Sequence, residues 1–215
     1  MQDLPIALIV ICIGYVLGAT PTAYLVGRLN GINIFEVGSG NMGATNVARA
    51  LGFRWALLVG ITDLLKGALA VLVGRAVGSG MPDTAGALAG IAVVVGHNWS
   101  LPVAFLTGRL RGGKGAATTG GSWLILFGGW AYLVVLPIAA GIAVLTATRY
   151  VSLSVLVAGV VGAAAVLAAI ALGTAGIPPV YAVYIVVIVV LLFFQHRQNI
   201  QRLVQGQERR LGQRL

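Results

Sequence analysis

Long apolar runs separated by short, glycine-rich polar insertions dominate the chain. The runs predict seven spans, at 4–28, 54–76, 84–107, 115–129, 131–148, 151–173 and 178–195. A membrane-crossing helix needs about 20 predominantly apolar residues to match a hydrocarbon core of roughly 30 Å. The stretch from Gly115 to Thr148 would be about 51 Å long as one helix, well beyond that thickness. Gly128 and Gly129, ahead of Trp130, offer a turn, so this stretch reads as two short spans. The pattern predicts an all-α polytopic membrane protein with seven transmembrane helices.

Composition agrees. The 215 residues are 59% apolar and only 9% charged, with mean hydropathy +0.98, whereas soluble chains carry roughly 25% charged residues. The reading is a single membrane domain over 1–215, with no room for a second globular one. The first residues lack a basic region of the kind that opens a cleaved signal peptide, so they read as a retained span. Cys12, the single cysteine, reads as a small apolar residue within it.

Charge sets the expected orientation. The net charge is +9. With seven spans, Arg28, Arg49, Arg54, Arg109, Arg111, Lys114, Arg149, Arg197, Arg202, Arg209, Arg210 and Arg214 fall on one side, and Arg75 on the other. The positive-inside rule then places the N-terminus outside and the C-terminus in the cytoplasm. Asp63 and Lys66 lie three apart inside the second span, either as a structural pair or as the wall of a polar cavity.

The insertions carry the candidate chemistry. Residues 36–54, EVGSGNMGATNVARALGFR, place Gly38, Gly40 and Gly43 among Ser39, Asn41, Thr45 and Asn46, with Arg49 close behind. Backbone N–H groups in such a turn, next to a helix start, form an anion-binding concavity. The alternative is an idle flexible loop. Gly38 to Gly43 matches G-x-G-x-x-G, but a membrane span rather than a strand precedes it, which excludes a dinucleotide fold. The second insertion, RLRGGKGAATTGG at 109–121, sets Lys114 among Gly112, Gly113 and Gly115. It lacks the Ser or Thr that follows the lysine of a nucleotide loop, yet Lys114 can present a compact charge to a phosphate. The alternative is a purely topogenic basic loop.

His97, inside the third span, reads as structural more readily than as a base. Ser152 and Ser154 follow Arg149 at the start of the sixth span, either with a functional role or as structural hydroxyls that cap or bond to their own helix. His196 and Asn199, three apart where the tail begins, share a helix face. The basic tail suits a short helix on the membrane surface. On the seven-span topology the two loops, Ser152, His196 and Asn199 all fall on the cytoplasmic side.

These blocks resemble a known family. GSGNMGATNVAR (38–49), GH with GGKGAAT (96–97, 112–118), RYVSLS (149–154) and HRQNIQRLVQGQE (196–208) are similar to the signature segments of the bacterial acyl-phosphate:glycerol-3-phosphate acyltransferases, the PlsY family. The resemblance implies a seven-helix inner-membrane enzyme with no metal or other cofactor. It would transfer a fatty acyl group from acyl phosphate to the 1-hydroxyl of glycerol 3-phosphate. The implied partners are those two substrates, membrane lipid and an enzyme that supplies acyl phosphate, with no nucleic acid. By position it gives catalytic roles to Ser39, Arg49, Lys114, His196 and Asn199. It gives substrate-binding or loop-shaping roles to Gly38, Gly40, Asn41, Gly43, Thr45, Asn46, Gly112, Gly113, Gly115 and Ser152. The H-x-x-x-x-D pair of other acyltransferases is missing, since Pro102 follows His97 and Gln201 follows His196 at that spacing. Two rivals remain. A transporter of organic phosphates would favour inverted repeats, and none is evident. A metal-dependent phosphotransferase would need clustered aspartates, but Asp3, Asp63 and Asp83 are scattered.

Overall fold

Helices follow one another in the order α1 (Asp3–Ala19), α2 (Thr22–Leu29), α3 (Ala44–Leu51), α4 (Phe53–Val77), α5 (Pro82–Asn98), α6 (Leu101–Thr107), α7 (Ala116–Phe127), α8 (Ala131–Thr148), α9 (Val151–Ala171) and α10 (Val180–Val204). The structure, a computed structural model, describes residues 3–174 and 176–213, so Arg214 of the basic tail lies outside the described residues. Among the described residues, strand pairing is limited to an isolated bridge between Ser100 and Arg111.

Five helical segments are long and apolar enough to cross a membrane: Asp3–Leu29, Phe53–Val77, Ala131–Thr148, Val151–Ala171 and Val180–Val204. The other two expected spans are represented by the shorter α5, of 17 residues, and α7, of 12. Large apolar side chains such as Leu57, Leu65, Leu72, Val135, Ile142, Val186 and Val190 stand on exposed faces of the long helices. Helices with satisfied backbones and apolar outer faces are what a bilayer tolerates.

Several expected elements differ in detail. The first span is interrupted at Thr20–Pro21, where proline lacks the N–H that a continuing helix would use. The expected continuous third span, 84–107, breaks after Asn98. Ser100 then caps α6, its Oγ accepting from Val103 N–H at 3.3 Å, with Pro102 in the first turn, where its missing donor costs nothing. The turn at Gly128 and Gly129 does separate α7 from α8. The tail begins as a continuation of α10 through Val204 rather than as a separate surface helix.

The described residues form two compact units, 3–125 and 126–213. In the first, α1 packs along α5, and α4 packs against both. A Cβ on Gly18 would overlap the Val93 backbone, and one on Gly96 would overlap the Tyr15 carbonyl. The small residues let the α1 and α5 backbones nearly touch, the usual device of helix packing in membranes. A separate apolar cluster of Tyr24, Val26, Ile34, Phe35, Met42, Val47, Val59 and Val103 underlies the 30–43 connection, which is therefore anchored rather than a loose flap. In the second unit, α9 packs against α8 and α10. Phe127 meets Tyr181 edge-on, with ring centroids 5.3 Å apart.

Candidate functional site

In the unit spanning 3–125, the first polar loop is organised by Asn46. This side chain is 2% exposed. Its Oδ1 accepts from Ser39 N–H at 2.8 Å. Its Nδ2 donates to the carbonyls of Ile34, Val37 and Asn41 at 3.0–3.1 Å. The amide is committed to the loop on both sides, so Asn46 shapes the site rather than presenting an amide to a ligand. Gly40 has φ +65°, and a Cβ there would sit 3.1 Å from the Phe35 carbonyl, so the turn needs glycine. Ser39 is exposed, whereas Gly40, Asn41 and Gly43 are partly exposed. Gly43 leads into α3, which places Thr45 in its first turn and Arg49, half-buried, in its last.

The second loop docks on the first. Met42 N–H donates to the Gly112 carbonyl at 3.3 Å, and Gly113 N–H donates to the His97 carbonyl at 3.0 Å. Arg111 stacks its guanidinium 3.8 Å above the centre of the Phe35 ring, a cation held by the ring's negative face. Ser100 N–H reaches the Arg111 carbonyl at 3.4 Å, and Ser100 Oγ donates to the Ala19 carbonyl at 2.6 Å. These contacts bring Gly38–Gly43 beside Gly112–Gly115 and present half-buried Lys114 just before α7. Two glycine-rich turns, each leading into a helix start, with Lys114 in the second, make an arrangement suited to phosphate oxygens, while Arg49 stands at the far end of α3.

In the unit spanning 126–213, a second cluster gathers around Glu208. Its carboxylate accepts from Ser152 Oγ at 2.8 Å, from Asn199 Nδ2 at 2.5 Å and from Arg202 Nε at 2.8 Å. Partial burial pushes the Glu208 carboxyl up. The hydrogen bonds from Arg202, Asn199 and Ser152, with the Arg202 charge, outweigh this and hold it below its ordinary range, because all of them favour the ionised form. The tail is pinned again by Arg149, whose Nη2 donates to the Leu211 carbonyl at 2.8 Å and whose carbonyl accepts from Leu211 N–H at 2.7 Å. His196 and Asn199 are both buried on α10. His196 Nδ1 lies 2.8 Å from the Leu192 carbonyl. A carbonyl only accepts, so Nδ1 carries a proton.

The structure thus brings Ser39, Gly40, Asn41, Gly43, Asn46, Gly112 and Gly113 together, and separately Ser152 and Asn199. Sequence reasoning missed Glu208, an acid hidden among the arginines of the tail. Its signal was available as the single carboxylate beyond Asp83.

Comparison with known proteins identifies the family. A family model of the glycerol-3-phosphate acyltransferases matches residues 8–206. A glycerol-3-phosphate acyltransferase of Thermus thermophilus is 44% identical over 204 residues, covering 94% of each chain. Glycerol-3-phosphate acyltransferase 1 of Deinococcus radiodurans is 40% identical, covering 97% of this chain and 98% of its own. Among solved structures, the glycerol 3-phosphate form of PlsY, an integral membrane glycerol 3-phosphate acyltransferase, is 31% identical with TM-score 0.80 and 96% coverage of each chain. Its lysophosphatidic acid form is similar, with TM-score 0.77. Apolar helices carrying two polar clusters, with these likenesses, define an integral-membrane acyltransferase of lipid biosynthesis. The chain belongs to the glycerol-3-phosphate acyltransferase family, of the PlsY type.

Proposed function

We propose that this protein transfers a fatty acyl group from acyl phosphate to the 1-hydroxyl of glycerol 3-phosphate. The products are 1-acyl-glycerol 3-phosphate (lysophosphatidic acid) and inorganic phosphate, and the step is the first acylation of phospholipid synthesis. The chain acts as one membrane domain in the bacterial inner membrane, with seven crossings, the N-terminus outside and the site open to the cytoplasm. The observation that carries this reading is the docking of the Gly38–Gly43 turn on the Gly112–Gly115 turn beside Lys114, in a chain that aligns along 96% of its length with a solved glycerol 3-phosphate form of a family member.

The chemistry follows from the substrates. Acyl phosphate is a mixed anhydride with phosphate as a good leaving group, so a covalent acyl-enzyme is unnecessary. The acceptor hydroxyl attacks the acyl carbon, a C–O ester bond forms, and the bond to the phosphate oxygen breaks. The hydroxyl proton passes to a phosphate oxygen of a substrate. Both reactants are anionic, so the main task is to hold them together against repulsion.

Arg49 and Lys114 supply the offsetting charge and stabilise the departing phosphate. Ser39, Asn41, Thr45 and the backbone N–H groups of the glycine turns bind phosphate oxygens. Ser152, His196 and Asn199 orient substrate, with Glu208 fixing Ser152 and Asn199. Alignment of hydroxyl and carbonyl alone can remove several kcal/mol of barrier. An acyl-phosphate-forming enzyme must supply the donor.

The test is purified protein given glycerol 3-phosphate with acyl phosphate, acyl-CoA or acyl carrier protein in parallel. The reading expects lysophosphatidic acid from acyl phosphate alone. Product from a thioester and none from acyl phosphate would refute the donor.

A further inference from the structure

Three buried acidic or basic side chains in the first unit lie outside the proposed chemistry: Asp63 and Lys66 on α4 and His97 on α5. Lys66 Nζ lies 2.8 Å from Asp63 Oδ1, confirming the expected pair, and also donates to the Thr20 carbonyl at 3.2 Å. That carbonyl lies in the break between α1 and α2. His97 Nδ1 is 3.6 Å from Asp63 Oδ1 and has no hydrogen-bond partner among the described residues.

The opposite edge of the ring faces elsewhere. A Cβ on Gly113 would overlap His97 Nε2 and Cε1, and would sit 2.8 Å from the Met42 carbonyl. The ring therefore stands at the junction of the two glycine turns. The same residue's carbonyl accepts from Gly113 N–H and leaves no room for a Cβ on Gly112.

Burying a charged pair within a membrane span is costly, and apolar residues of similar volume often hold helices together as well or better. Simple glue does not account for three ionisable groups in mutual contact, one of which stands against the second loop. We propose that Asp63, Lys66 and His97 are positioning residues. The buried pair backs the His97 ring at 3.6 Å, and the ring fixes Gly112 and Gly113, and hence where Lys114 stands. The inference rests on the proposed reaction only for its kinetic readout.

His97→Ala, His97→Gln and wild-type protein are compared in detergent by three measurements: thermal midpoint, rate of tryptic cleavage after Lys114, and kinetics of phosphate release. In His97→Ala, cleavage after Lys114 accelerates several-fold. KM for glycerol 3-phosphate rises by about 10- to 100-fold, as small misplacements of binding groups do, with a smaller change in kcat. The thermal midpoint stays near wild type. His97→Gln, which keeps a polar atom toward Asp63, falls between the two.

Wild-type cleavage and KM in both variants would overturn the proposal. So would a loss in kcat, KM and thermal midpoint shared equally by Ala and Gln. If His97→Ala does not accumulate, His97→Gln decides alone: cleavage faster than wild type supports the proposal, and wild-type cleavage overturns it. If wild-type protein transfers no acyl group from any donor, the reaction fails while the cleavage measurement still decides this inference.

Discussion

Single side chains divide into those that touch substrate and those that hold the ones that do. Lys114 belongs to the first group in the proposed reaction. Lys114→Met should lower kcat/KM by about 10²- to 10³-fold, the scale expected when one electrostatic stabiliser is lost, with the thermal midpoint unchanged. Steady-state phosphate release checks the first and a melting curve the second. Asn46 belongs to the other group. Asn46→Ala strands Ser39 N–H and three carbonyls. Buried groups left without partners cost about 1–3 kcal/mol, so this variant should lose activity and thermal stability together. His196 is assigned to orientation rather than proton removal. His196→Gln should retain measurable turnover, and abolished turnover with intact glycerol 3-phosphate binding would make it an indispensable base.

At the scale of elements, the tail shows how ionisation holds structure. Glu208 has a folded-state pKa below its ordinary value of 4.5, so its ionised form favours the docked tail. That contribution is fully present above the ordinary value and is lost as pH falls through the lower folded value. Hydrogen exchange at Leu211 N–H, corrected for intrinsic rate, should accelerate as pH drops below about 4.5, and Glu208→Gln should remove this pH dependence. The α1–α5 crossing is steric instead. Gly18→Val drives a side chain into the Val93 backbone and should destabilise by about 1–3 kcal/mol or more. Gly80→Ala, with nothing within 4 Å, should leave the melting curve unmoved.

Legibility in the sequence also differs between elements. The α7–α8 separation was readable because Gly128 and Gly129 interrupt a run too long for one crossing. The break after Asn98 was missed because the run stays apolar through it, although Ser100 followed by Pro102 is a helix-start signal. The basic, apolar-spaced tail suits a separate surface helix, yet α10 meets no glycine until Gly206 and simply continues to Val204. The residue types of both glycine turns were readable, because close backbone approach at Gly40, Gly112 and Gly113 restricts composition. The division of labour was not. Asn46 resembles a ligand in the sequence, and only its four hydrogen bonds identify it as a brace. His97 resembles an isolated polar residue until Gly113 is placed against its ring.

For the whole molecule, orientation and reaction are the claims to be tested. A seven-crossing chain with its N-terminus outside places residue 174 outside and residue 207 in the cytoplasm. In a Cys12→Ala background, Thr174→Cys should react with an impermeant maleimide in intact cells, and Gln207→Cys only after permeabilisation. The reverse pattern would invert the topology. The most direct test of the reaction itself is stoichiometry. Protein reconstituted in liposomes, given acyl phosphate and labelled glycerol 3-phosphate, should form one lysophosphatidic acid for each phosphate released, and release none when glycerol 3-phosphate is withheld. Phosphate release that continues without the acceptor, or that outruns lysophosphatidic acid formation, would show a hydrolase and contradict the account.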